Sequence, residues 1–133
     1  MDITYTNERK FTKEQLKELF ESVGWFSANY PDKLYQAMNC SDTVFTAWNG
    51  GELAGLINAI DDGALTAYVH YLLVNPKYQK SGIGKKLTAM LKEKYKDYLC
   101  IALSAENPSL VEYYEGMGFE VAEGASYMRL LNK

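Results

Sequence analysis

The chain has 133 residues, of which 47% are hydrophobic and 23% charged, and its formal net charge is -3. That length supports a single core and a single domain, 1–133, and an acidic balance without a long basic stripe excludes a nucleic-acid partner. No apolar run approaches the roughly 18 residues of a membrane span, and the opening Met-Asp-Ile-Thr-Tyr-Thr lacks the regions of a signal peptide, so a cytoplasmic protein with no membrane partner is expected.

Ile3 and Tyr5, with the polar residues after them, predict a first strand. Thr12 opens the run T-K-E-Q, a capping box with Gln15 in its fourth position. Leu16, Leu19, Phe20 and Val23 then recur at helical spacing up to Gly24. Trp25 and Phe26 follow in a loop, and Pro31 starts a second helix carrying Leu34, Tyr35 and Met38, which Ser41 and Asp42 break. Thr43 to Trp48 alternates, Asn49-Gly50-Gly51 supplies a hairpin turn, and Leu53 to Ile60 returns. After the turn at Asp61-Asp62-Gly63, a long strand from Leu65 to Val74 completes an antiparallel meander. Cys40 and Cys100 stand in no metal or redox spacing; both read as small apolar residues, and no metal is expected.

From Leu72 to Leu87 an apolar strand runs into a turn, and the turn opens a helix. Gly82 and Gly84 lie where that helix begins, and a helix start leaves about four backbone N–H groups without intrahelical partners. Those amides, the positive end of the helix dipole and the absence of a Cβ make a phosphate site. Lys77, Lys80, Lys85 and Lys86 surround it in a chain of opposite net sign, so a phosphate-bearing cofactor is expected, although each lysine also fits a solvated helix face. Ile83, Leu87, Met90, Leu91 and Tyr98 recur on one helical face. Leu99 to Ala105 is nearly continuous in apolar residues and predicts a strand buried on both faces and parallel to a neighbour, which makes strand, helix and strand a right-handed crossover. Asn107 caps a further helix with Pro108 at its first position, ending at Gly116 or Gly118. Phe119 to Val121 and Ser126 to Leu131 are expected as short closing strands. With no internal repeat or linker, the chain reads as one compact α/β unit.

Two separated motifs carry a family resemblance. The first is Gln79-x-x-Gly82-x-Gly84 after a strand ending in Leu-Val. The second is Asn107 followed by Tyr113-Tyr114-Glu115-Gly116-Met117-Gly118-Phe119. A Rossmann turn would need a third glycine where Leu87 stands, and a P-loop would need a hydroxyl after its lysine where Lys86 stands. The sequence resembles the GCN5-related N-acetyltransferase (GNAT) superfamily, whose members move an acetyl group from acetyl-coenzyme A to an amine. The resemblance implies an α/β fold with a mixed central sheet of about six or seven strands and about four helices, in which a splayed strand pair forms the cofactor site.

By the same resemblance, the coenzyme would meet Leu72, Leu73, Val74, Gln79, Lys80, Ser81, Gly82, Ile83, Gly84, Lys85, Asn107 and Tyr113. The pyrophosphate would rest on the amides of Lys80, Gly82, Gly84 and Lys85, with Gln79 bracing the turn. Leu72 and Val74 would pair with the pantetheine arm, the Leu72 N–H facing the thioester oxygen. Tyr114 matches the general-acid tyrosine, with aromatic packing against Phe119 as its alternative role. Tyr68 and His70 hold the inward strand positions where relatives carry a base, and His70 titrates near neutrality; a water chain is the alternative. Trp25, Phe26, Tyr30 and Tyr35 would form an aromatic wall for the acceptor. The implied activity is acetyl transfer to a primary amine of a small molecule. A protein N-terminus or lysine as acceptor, or a non-catalytic acyl-coenzyme A sensor, are the alternatives. The protein would act as a monomer or homodimer.

Overall fold

A computed structural model describes residues 2–132. Its contacts cluster into two compact units, divided between Ala102 and Leu103. The first unit contains β1 (Ile3–Thr6), α1 (Lys13–Ser22), a 3₁₀ turn (Phe26–Asn29), α2 (Pro31–Cys40), β2 (Thr43–Asn49), β3 (Glu52–Asp61), β4 (Thr66–Val74), a second 3₁₀ turn (Pro76–Tyr78), α3 (Ile83–Lys94) and β5 (Cys100–Ala102). The second contains α4 (Pro108–Glu115).

The strands form one five-stranded sheet in the order β1-β2-β3-β4-β5. The first three pairings are antiparallel, and β4 pairs with β5 in parallel through the α3 crossover. Local chemistry sets the element ends. Thr12 caps α1 through its side chain while Gln15 returns a bond to the Thr12 N–H, the complete capping box. Pro31 occupies the first turn of α2, where its missing N–H costs nothing. Gly50, at φ 58°, makes the hairpin between β2 and β3.

Leu16, Leu19 and Phe20 of α1 and Leu34 and Met38 of α2 join Val44, Trp48, Leu56 and Leu73 in the main core cluster. Side chains alternate faces along a strand, so Gly55, next to Leu56, points the other way. A Cβ on Gly55 would lie 3.0 Å from Ile83 Cγ2 and 3.4 Å from Leu87 Cδ1. Helix α3 therefore covers the sheet face opposite α1 and α2, and the missing side chain sets how closely its first turn approaches.

Several expectations are corrected. The described sheet has five strands, not six or seven, and neither Phe119 to Val121 nor Ser126 to Leu131 is a strand among the described residues. Tyr127, Met128, Leu130 and Leu131 are all exposed. Their adjacent apolar pairs break the period of two that would turn one face to a core. β5 spans three residues rather than Leu99 to Ala105, and Leu99 is 83% exposed. β5 ends the sheet, so its apolar run does not report burial on two faces. Cys40 and Cys100 are exposed free thiols rather than packed apolar residues. Tyr98 lies beyond the end of α3, where its hydroxyl donates to Asp61 Oδ1 at 3.2 Å. Phe26 starts a 3₁₀ turn where a loop was expected.

Candidate active site

The turn from β4 to α3 is built to present backbone amides. Asn75 Oδ1 accepts from the Lys77 N–H at 3.1 Å, fixing the 3₁₀ turn, and Gln79 Nε2 donates back to Val74 O at 3.1 Å. The Ser81 hydroxyl donates to Tyr78 O, so it is occupied within the turn. Lys80 and Gly82 both adopt left-handed backbone, at φ 65° and 86°. That conformation is routine for glycine and uncommon for lysine. Gly82 is the N-cap of α3 and supplies no side chain; the first helical bond runs from Lys86 N–H to Gly82 O at 3.0 Å. Among the described residues the amides of Gly82, Ile83, Gly84 and Lys85 have no acceptor. Four donors at the positive end of a 12-residue helix suit a phosphate.

The lysines divide. Lys77 pairs with Glu52 Oε2 at 2.7 Å, and Glu52 also accepts from the Tyr78 hydroxyl; the ion pair and hydrogen bond hold the Glu52 carboxyl below its usual range. The Lys86 ammonium stands 5.9 Å from the Tyr5 ring centroid. Lys77 is thus tied to the start of β3 rather than to the helix start. Lys80 and Lys85 have no ion pair among the described residues.

The second feature is a bulge in β4. Asn58 pairs with Tyr71 but Ala59 pairs with Val69, which leaves His70 as the extra residue. Asn58 is 1% exposed and plugs the gap, its Oδ1 accepting the Tyr71 N–H at 2.9 Å and its Nδ2 donating to Ser41 Oγ at 3.0 Å. Consecutive strand residues ordinarily point to opposite faces. The bulge instead stacks His70 on Tyr71, ring centroids 4.1 Å apart at 23°. Tyr68 also lies near, with its ring centroid 6.2 Å from that of His70. His70 is open to solvent while these rings partly shield it, and this desolvation lowers its pKa from the ordinary value.

Beyond the bulge, Asn75 N–H donates to Ala54 O at 2.9 Å, and Val74 O takes the Gln79 amide. Antiparallel alternation then turns the main-chain groups of Leu72 and Val74 away from β3. On that side β5 pairs only with Thr66, Ala67 and Tyr68, so Leu72 to Val74 has no strand partner there among the described residues. Leu73 faces the core at 3% exposure.

An aromatic array continues from the bulge. Trp25 lies 5.4 Å from Tyr71, Phe20 meets Tyr71 edge-on at 5.0 Å, and the Tyr71 hydroxyl shares a 2.9 Å hydrogen bond with Ser27 Oγ. Phe26 and Tyr30 pair at 5.3 Å on the adjoining 3₁₀ turn and are largely exposed. Tyr35 is apart, edge-on to Phe11 at 6.3 Å. Tyr71, Ser27 and Asn58 went unrecognised in the sequence. Tyr71 has the wrong parity for a strand neighbour of His70, whereas a lone asparagine in the apolar run from Leu53 to Ile60 was a readable signal.

In the second unit Asn107 caps α4, its Oδ1 accepting from the Leu110 N–H at 2.9 Å. Tyr113 and Tyr114 meet at 5.1 Å and Tyr114 and Phe119 at 5.5 Å, both edge-on. Burial, and next the neighbouring Tyr113, push the Tyr114 phenol up to about 12. The Tyr113 hydroxyl is buried without a hydrogen-bond partner among the described residues.

A mixed sheet whose fourth strand feeds a glycine-started helix with unsatisfied amides defines an α/β protein equipped for a phosphorylated ligand. The acetyltransferase (GNAT) domain family matches residues 7–129, across both units, and the chain belongs to that family of N-acetyltransferases, which use acyl-coenzyme A. It is 25% identical over 124 residues to an uncharacterized N-acetyltransferase, ycf52, of Pyropia yezoensis, covering 89% of this chain and 70% of that one. A GNAT-family acetyltransferase from Streptococcus pneumoniae superposes with a TM-score of 0.86 at 29% identity, covering 99% of both chains. An aminoglycoside acetyltransferase from an uncultured soil metagenomic sample, solved with sisomicin, shares the fold with a TM-score of 0.73 at 23% identity, covering 99% of this chain and 96% of that one. Among the described residues, no helix is long and apolar enough to cross a membrane.

Proposed function

We propose that the two units act as one acetyltransferase domain that moves an acetyl group from acetyl-coenzyme A to a primary amine of a small molecule. The observation that carries this reading is the run of four unpartnered amides from Gly82 to Lys85, which fits a pyrophosphate. In the first unit the outward main chain of Leu72 and Val74 suits the same ligand, able to pair with amides of the pantetheine arm; in the second, the Tyr113 hydroxyl is buried without a partner among the described residues, which is costly unless a ligand satisfies it. Gln79 holds the turn, while Lys80 and Lys85 neutralise outer phosphates. Asn107 retains its amide nitrogen for the arm, since only its oxygen serves the helix cap.

Bound acetyl-coenzyme A supplies a thioester whose carbonyl carbon bonds the amine nitrogen as the carbon–sulfur bond breaks, giving an amide and free coenzyme A thiol. The Leu72 N–H donates to the carbonyl oxygen as negative charge develops there, a contribution on the order of 3 kcal/mol. His70, neutral at pH 7 because its pKa is lowered, accepts the amine's proton directly or through water, with Tyr68 beside it. Tyr114, protonated at neutral pH, gives its proton to the departing sulfur. Trp25, Phe26 and Tyr30 receive the acceptor, and Tyr35, edge-on to Phe11, stands outside their ring contacts.

The aminoglycoside acetyltransferase neighbour supports a small-molecule amine as acceptor. Calorimetry with acetyl-coenzyme A followed by thiol release across a panel of amines tests the reading. Micromolar binding with amine-dependent release is expected. Failure to bind even at millimolar concentration removes it, and binding without release from any amine leaves a sensor.

A further inference from the structure

Tyr71 belongs to no motif, yet the fold spends several interactions on it. Asn58 fixes its main chain, Phe20 supports its ring edge-on, and Ser27 holds its hydroxyl at 2.9 Å. The ring so held is 4.1 Å from His70 and 5.4 Å from Trp25, and Tyr68 is 6.2 Å from His70. Trp25 is 36% exposed and His70 is open, while Tyr71 packs against the main core, so the array is a shelf that presents Trp25 and His70 to solvent on a core-anchored ring. Contiguous exposed rings of this kind mark binding surfaces.

Three carboxylates on the elements around the shelf are already engaged. β4 contains no acidic residue. On α1, Glu21 pairs with Lys17 at 2.9 Å, and Glu18 lines a separate cavity of about 240 Å³ with Gln15 and Glu52. Glu14 sits in the first turn of α1, about 12 Å along the axis from the end that leads to Trp25. On α2, Asp32 pairs with Lys13 at 2.8 Å. On β3, Asp61 accepts from the hydroxyls of Tyr95 and Tyr98. A polyamine or aminoglycoside, with several ammonium groups, would have to compete with Lys17, Lys13 and the two tyrosine hydroxyls for Glu21, Asp32 and Asp61.

We infer that the acceptor is a monoamine with a flat aromatic body, which stacks on Trp25 beside the Tyr71–His70 pair, rather than a polycation. The shelf supplies dispersion and face contacts to such a body, and its rings attract the single ammonium group that must lose its proton before reaction. This rests on the acetyltransferase reading and narrows its substrate class.

The test pairs turnover with a binding signal that needs no turnover. Trp48 is 3% exposed, and Trp25 is the other of the chain's two tryptophans, so a nitroaryl amine on the shelf quenches Trp25 selectively. With coenzyme A present, 2-(4-nitrophenyl)ethylamine should quench the exposed tryptophan signal, and spermidine and sisomicin should not. In thiol release from acetyl-coenzyme A, kcat/KM for 2-phenylethylamine should exceed that for spermidine and sisomicin at least tenfold. Trp25→Ala should lower the arylamine value about tenfold through KM, with acetyl-coenzyme A affinity unchanged, and Trp25→Phe should restore most of it. Turnover that favours the polycations, or a nitroaryl amine that leaves Trp25 unquenched, overturns the inference while the acetyltransferase reading stands. Loss of acetyl-coenzyme A binding by the unaltered protein would sink both.

Discussion

Asn58 Oδ1 accepts the Tyr71 N–H at 2.9 Å, so a fully buried side chain on β3 takes the bond that a regular ladder would have given to backbone. The extra residue in β4 is thereby stabilised, and with it the stacking of His70 on Tyr71. Asn58→Ala leaves the part-buried Tyr71 N–H without its acceptor, while the Ser41 hydroxyl keeps its bond to Ala37 O at 2.8 Å. The expected loss is about 2 kcal/mol in urea unfolding. In the folded fraction, KM for the amine should rise by a larger factor than acetyl-coenzyme A affinity falls, because the helix start is built from other residues while the arm's partners Leu72 and Val74 follow the bulge directly.

Two glycines should respond differently to a side chain. At Gly82 the φ of 86° strains any L-residue, but a Cβ there meets nothing within 4 Å. Gly82→Val should therefore cost about 1–2 kcal/mol of stability and weaken acetyl-coenzyme A binding more than tenfold, as seen by calorimetry. At Gly55 the added Cβ would press on Ile83 and on Leu73 O at 3.2 Å. Gly55→Ala should lower the unfolding midpoint by about 1–3 kcal/mol equivalent and move α3, so stability and cofactor affinity fall together.

Tyr114→Phe keeps the ring packing against Tyr113 and Phe119 and removes the proton. A fall in kcat of about a hundredfold is expected, with acetyl-coenzyme A affinity preserved. Because the phenol is pushed up to about 12, the unaltered enzyme should show no loss of activity from its ionisation below pH 10. A variant with unchanged kcat would return Tyr114 to a packing role.

His70 carries the acid limb of the pH profile. Its pKa is lowered from 6.5 by desolvation, so the midpoint of the acid limb in kcat/KM should fall below pH 6.5. His70→Gln should abolish that limb and reduce the plateau. The same shift destabilises the fold in acid. The unfolded histidine binds a proton more readily than the folded one, so stability falls as pH decreases through and below the unfolded value near 6.5. Chemical denaturation at pH 5 and pH 7.5, compared between the unaltered chain and His70→Gln, reads this out.

What could be read from the sequence was set by residues a few positions apart. The Thr12–Gln15 capping box, Pro31 opening α2, the Asn49-Gly50 turn and the glycine start of α3 depend on backbone preferences and bonds within one turn, and the structure carries each of them. The family followed because two such local signatures stand at a fixed separation. What needed the tertiary structure was every feature with a distant partner. Asn58 reaching Tyr71 across the sheet, Lys77 drawn to Glu52, the three-residue β5 and the unpaired segment after Gly118 all turn on which neighbour arrives. A one-residue bulge reverses side-chain parity beyond it, and periodicity in a single strand carries no record of where its partner will slip.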